Sequence, residues 1–143
     1  AKQWSTENSD RTDEILRIPV VVHIVYNTSE ENLADSVINE QILSLNEDYG
    51  RGNQDTVNMR SDFQSIVGDT RIRFELALQD PDGNPTNGIT RTSTNVENFS
   101  DIVGLFTGDM SAFENVKSTA DGGIDPWDQS RYLNIWVCDM SIS

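Results

Sequence analysis

An α/β fold is predicted by three features of the sequence. The first is the β-branched run Ile18-Pro-Val-Val-Val-His-Ile-Val-Tyr26. Its apolar residues do not alternate with polar ones, the pattern of a strand buried on both faces in the middle of a sheet. Pro19 stands near its start, where a missing N–H is tolerated. The second is the helical repeat of Asp35–Tyr49, in which Ile38, Ile42, Leu45 and Tyr49 fall on one face. Asp35 or Ser36 is expected to cap this helix, and Gly50 and Gly52 to stop it. A strand followed by such a helix is the first half of a crossover unit, which favours a parallel neighbour. The third is the alternation of Arg71–Gln79: Ile72, Phe74, Leu76 and Leu78 point one way, and Arg71, Arg73, Glu75 and Gln79 the other. One face of that strand should be apolar and the other wet or ion-paired.

The remaining elements are shorter. Residues 1–17 are polar, of mixed charge and without period, and are expected to form a flexible N-terminal arm; residues 18–143 form one unit. Asn27–Asn32 is turn-rich, and Asn53–Asp69 is polar with Phe63, Ile66 and Val67 as anchors. Asp80-Pro-Asp-Gly-Asn-Pro85 makes a tight turn, from which Gly88–Thr94 returns as a short strand. Residues 95–131 are loop-dominated, with weak helical character near Asp109–Val116, and Leu133–Cys138 is the last strand.

A chain of 143 residues is one domain's worth. Its 24 acidic and 10 basic residues give a formal net charge of −14. Such a field repels phosphate backbones and anionic membrane surfaces, so no nucleic-acid partner is expected. No run approaches the roughly 18 apolar residues of a membrane span. No charged start leads into an apolar core, so no signal peptide is read here. The single cysteine, Cys138, has no internal partner; it reads as a buried strand thiol or as half of a pair with a residue outside this sequence.

Candidate chemistry is sparse. A catalytic zinc needs about three side-chain ligands, and the chain has one histidine, His23, in the middle of an apolar strand. A packed, hydrogen-bonded core residue is the better reading of it. A cysteine–histidine pair of Cys138 and His23 requires adjoining strands and two exposed side chains, whereas both residues sit in strand centres. No Gly-x-Ser-x-Gly elbow exists, and Gly122-Gly123 follows no strand and precedes no lysine, so it is not a phosphate loop. Asp80, Asp82 and Asn84 share the first three positions of a calcium loop, but Pro85 and Arg91 stand where Gly and Glu are needed. Asp121–Asp128 has the acids for a hard cation, although turn capping with Trp127 packed on the body is the simpler reading. Asn27-Thr-Ser and Asn98-Phe-Ser match the glycosylation sequon. The residues by themselves therefore supply no catalytic, cofactor-binding or metal-binding set.

Four stretches together resemble the pappalysin family of zinc endopeptidases in the metzincin clan. They are Ile18–Tyr26; Ile42-Leu-Ser-Leu-Asn-Glu-Asp-Tyr49 with Arg51 and Asn53; Phe74–Thr94; and Asp125-Pro-Trp-Asp-Gln-Ser-Arg-Tyr-Leu-Asn-Ile-Trp-Val-Cys138. They follow the family's order over residues 18–138. The resemblance implies a zincin-like N-terminal subdomain, a twisted mixed sheet with a backing helix that roofs the cleft. The family's substrate-binding edge strand, its His-Glu-x-x-His-x-x-Gly-x-x-His zinc helix and its Met-turn come later than the stretch matched here. No ligand or general base maps onto this chain, and Cys138 would meet a downstream cysteine.

Two functions follow. In the first, the chain is the scaffold and cleft wall of a secreted or extracytoplasmic endopeptidase acting on proteins or peptides. The complete enzyme would carry zinc, with calcium as a further candidate, and this chain alone would be inactive and prone to self-association through exposed sheet surface. In the second, it is a non-catalytic acidic binding module with a zincin-like fold that takes calcium.

Overall fold

A computed structural model describes residues 14–64, 68–100, 106–108 and 111–141. Four strands, β1 (Leu16–Tyr26), β2 (Ile72–Leu76), β3 (Ile89–Ser93) and β4 (Leu133–Val137), form one sheet. The helix α1 (Asp35–Tyr49) and the single turn α2 (Ser111–Asn115) accompany 3₁₀ turns at Gln54–Asn58 and Thr119–Asp121. The α/β class is as expected. Every ladder is parallel to β1, and the antiparallel part expected of a mixed sheet is confined, among the described residues, to the isolated bridge Gln79–Pro85. Strand β1 begins at Leu16, whose N–H donates to the Arg71 carbonyl, two residues before the expected boundary at Ile18. The rest of the expected arm, residues 1–13, lies outside the described residues, as do the anchors Ile66 and Val67.

β1 is the axis of the fold, and its parity explains the arrangement. Leu16 N, Val20 O, Val22 N and Tyr26 O bond to Arg71, Ala77, Gly88 and Thr94 respectively. All four are even-numbered, so β2 and β3 lie end to end along one edge of β1, while β4 takes the other. The return strand expected after the Asp80 turn is thus a correction. β3 does not fold back on β2 but resumes its direction, and residues 78–87 loop out between them. Gly88 closes that loop at φ +73°, and a Cβ there would stand 2.6 Å from the Ala77 nitrogen. Leu78, expected inward, is 80% exposed because the strand ends at Leu76.

The same parity builds the core. Val20, Val22 and Ile24 face α1 and pack with Ile38, Ile42 and Phe74. Val21, His23 and Val25 face the other way, where Ala77, Tyr132, Phe99 and Val116 cover them. β1 is therefore buried on both faces, as its unbroken β-branched run required.

Helix α1 has the expected bounds but not the expected caps. Ala34 is its N-cap, without a side-chain bond, because Asp35 is drawn to Arg91 (2.5 Å) and Asn87 (3.1 Å). Gly50 ends the helix at φ −83°, and Arg51 rather than a glycine takes the left-handed turn at φ +57°. Asn46 is the residue whose role the periodicity did not show. Its side chain accepts from Phe74 N–H (2.8 Å) and donates to Phe74 C=O (2.8 Å). It occupies the outer edge of β2 as a further strand would, which blocks edge pairing there. Asn46→Ala is expected to cost about 1–3 kcal/mol in urea unfolding, since it leaves both backbone groups of Phe74 unpaired. A loss below about 0.5 kcal/mol would show that water replaces the amide freely.

The wet face of β2 is ion-paired as expected. Arg17 pairs with Glu75, and Arg73 holds Asp69 at 2.5 Å. The Arg73 side chain and the Arg71 N–H bring the Asp69 carboxyl down to about 2. These groups are exposed, or half-buried in the case of Arg73, and add little stability individually.

Candidate functional site

His23 is fully buried at the centre of β1. Its Nδ1 lies 2.7 Å from Thr90 Oγ1 on β3, and its Nε2 lies 2.9 Å from Asn134 Oδ1 on β4. Parallel registers that place His23 beside Thr90 and Trp136 bring these groups together. The Trp136 ring is tilted against the imidazole at 5.2 Å, and Trp127 meets it edge-on at 6.1 Å. Burial pushes the imidazole pKa below its ordinary value, opposed by the Asn134 bond.

Asn134 is the hub of this cluster. Its Oδ1 also accepts from Trp127 N–H (2.7 Å), and its Nδ2 donates to Trp127 C=O (3.1 Å) and Tyr132 C=O (3.2 Å). The side-chain amide thereby holds the Trp127 peptide unit as a neighbouring strand would. Trp127 packs on Tyr132 at 5.1 Å, and the Tyr132 hydroxyl donates to Gln79 C=O. Residues 124–132 are fastened in this way over the face of the sheet opposite α1. Gly123 leads into them where the chain passes against residue 116: a Cβ on it would stand 2.0 Å from the Val116 oxygen. The glycine pair that is no phosphate loop is thus part of a close backbone contact.

The other candidates resolve in simple terms. Cys138 is half-buried beside Trp136, and burial, with Asp139 and Glu31, pushes its thiol pKa up. Both His23 nitrogens are engaged elsewhere, so the imidazole is not placed to activate that thiol. Asp80 accepts from the N–H groups of Asp82 (3.0 Å) and Asn84 (2.7 Å), a turn carboxylate rather than a calcium loop. Asp125 accepts from Thr119 N–H and Asp128 from Ser130, again turn bonds, and Trp127 packs inward. Asn27 donates to Thr94 C=O, and Asn98 accepts from Ser100, so both sequon side chains serve local bonds.

A zinc centre does not fit these residues. The described residues hold no group of three or more His, Cys, Asp or Glu side chains placed for a metal, and the imidazole is engaged on both sides. No helix among them is long and apolar enough to cross a membrane.

The outer edge of β4 has a different character from that of β2. Register pairs Val21 with Asn134 and His23 with Trp136, so β4 uses Leu133, Ile135 and Val137 to bond β1. The peptide groups of Asn134 and Trp136 point away from the sheet. Among the described residues no main-chain or side-chain group bonds them. Asn46 closes the β2 part of the opposite edge, whereas the outward peptide groups of β4 have no partner among the described residues.

No protein-family model and no curated protein matches the chain. Solved structures do match. The chain is similar to mirolysin. Mature mirolysin of Tannerella forsythia, in complex with a cleaved peptide, is 47% identical over 90% of this chain, with a TM-score of 0.79. Mirolysin in complex with compound 9 is 48% identical over 89% (TM-score 0.78), and a promirolysin mutant is 48% identical over 87% (TM-score 0.76). The chain spans 44% of the first, 44% of the second and 37% of the third, less than half of each mirolysin chain. Its fold is that of the N-terminal part of a metalloprotease catalytic domain, the zincin-like subdomain expected from the sequence.

Proposed function

We propose that this chain is the sheet-bearing, cleft-wall part of a secreted, zinc-dependent endopeptidase of pappalysin type, and that it does not cleave peptides by itself. The observation that carries the reading is the 47% identity to mature mirolysin over 90% of the chain, in a structure that holds a cleaved peptide. Identity at that level over a shared fold argues for a shared role of this part, which fold alone would not. The β4 edge supports it, since its outward peptide groups, without partners among the described residues, are ready to pair with a further strand. In this reading the strand belongs to the rest of the protein, which also brings the zinc ligands and the general base. The same edge is where the isolated chain would self-associate.

The test compares the 143-residue chain with the whole gene product on a fluorogenic peptide, with and without a zinc chelator. The reading predicts chelator-sensitive cleavage by the whole product and none by the chain, whose melting temperature zinc leaves unchanged. Cleavage by the chain alone would overturn it.

A further inference from the structure

We propose that His23 and Asn134 form a proton-operated clasp: with a neutral imidazole they hold the Trp127 segment, residues 124–132, against the sheet, and protonation of the imidazole releases it.

The hydrogen-bond network fixes the tautomer of the neutral ring. Trp127 N–H donates to one atom of the Asn134 amide, and Trp127 C=O accepts from the other, so the oxygen of that amide is assigned by the backbone. That oxygen faces His23 Nε2 at 2.9 Å, so Nε2 carries the hydrogen. In the neutral ring Nδ1 is then an acceptor, filled by the Thr90 hydroxyl at 2.7 Å. Every polar atom of the cluster is used in this one tautomer, and no buried side-chain nitrogen or oxygen among the described residues lacks a partner.

Among the described residues, a second proton on the ring finds no counter-charge. On β3, Arg91 is turned to Asp35 and Asn32 on the α1 side. β1 carries its nearest charge at Arg17, paired with Glu75, and β4 has no charged residue between Leu133 and Val137. On the covering side, Lys117 pairs with Glu114 and stands over Trp136 at 6.0 Å, while Asp125 and Asp128 are bonded to Thr119 and Ser130. Arg131 lies over Tyr132, and burial pushes the Cys138 thiol pKa up, which favours its uncharged form. A buried imidazolium without a carboxylate is costly. Lifting residues 124–132 admits water to it at the loss of a few bonds, whereas opening β1 would dismantle the whole sheet.

The sign follows from linkage. A folded imidazole pKa held below the ordinary 6.5 gives a clasp that is whole above that value and weakens as pH falls below it. Between the open and closed pKa values, the clasp constant falls by up to about tenfold per pH unit.

Hydrogen exchange by NMR on the 143-residue chain reads this directly. Protection of the Trp127 amide, corrected for intrinsic rate, should fall several-fold between pH 7 and pH 5. That of Val22, which donates to Gly88 in the sheet, should hold. Imidazole nitrogen shifts at pH 7.5 should show the Nε2–H tautomer. His23→Gln, which can still donate to Asn134 but cannot titrate, should make Trp127 protection independent of pH. An Nδ1–H tautomer, a flat Trp127 profile in the unmodified chain, a parallel loss at Val22, or an unchanged response in His23→Gln would each overturn the proposal. The tautomer and the Trp127–Val22 comparison decide the matter even if His23→Gln does not fold.

Discussion

Gly123→Ala is expected to unseat the whole cover on the second face of the sheet. The added methyl would lie 2.0 Å from the Val116 oxygen and 2.3 Å from its carbonyl carbon, which are backbone atoms that cannot rotate away. The bonds that hold this approach, Gly123 N–H to Ser118 and Ile124 N–H to Val116, must break to make room. Val116 is itself buried against Val25 and Phe99, so the strain passes into the core. A loss of about 3 kcal/mol or more in urea unfolding is expected, with a rise in solvent exposure of Trp127 and Trp136 visible in their fluorescence. A variant as stable as the parent, with unchanged tryptophan emission, would mean that residues 116–124 do not pack as described.

Ile24→Ala should be nearly as damaging for a different reason. Ile24 is fully buried in the cluster of Val20, Val22, Ile38, Ile42 and Phe74 between β1 and α1. Deleting three carbons leaves a cavity that a β1 held by ladders on both edges cannot close. The expected loss is about 3–5 kcal/mol, a large part of the stability of a domain of this size. Leu43→Ala, on the exposed face of α1, should cost less than about 0.5 kcal/mol and serves as the control. Equal losses at the two positions in denaturant titrations would contradict the burial of β1.

The frame of the fold was legible wherever burial alone dictates residue type. Val20–Val25 had to be covered on both faces, and Ile38, Ile42 and Leu45 could face only one way on a helix. What the sequence concealed depends on long-range geometry. Leu78 continues the alternation of β2 in sequence but falls after the strand's last ladder residue. Nothing local reveals that β3 would resume the line of β2, because that follows from Gly88 meeting Ala77 across the looped-out residues 78–87. Asn46 and Asn134 are ordinary polar residues by composition. Each becomes a surrogate strand only when its amide meets a backbone peptide, Phe74 in one case and Trp127 in the other. His23 is a packed core residue, as its place in an apolar strand implies, yet its two partners lie 67 and 111 positions away, beyond any motif. The family resemblance rested on the order of several stretches. The mirolysin match over 90% of the chain agrees with it at the level of the metalloprotease fold.

If this chain is one part of a metalloprotease whose zinc site lies elsewhere in the same protein, the coding sequence beyond the codon for Ser143 must carry that site. An in-frame His-Glu-x-x-His-x-x-Gly-x-x-His is expected there within about 60 codons, the helix-borne signature that places three ligands and a general base around one zinc. An open frame that continues without that signature, or a stop codon at position 144, would contradict it.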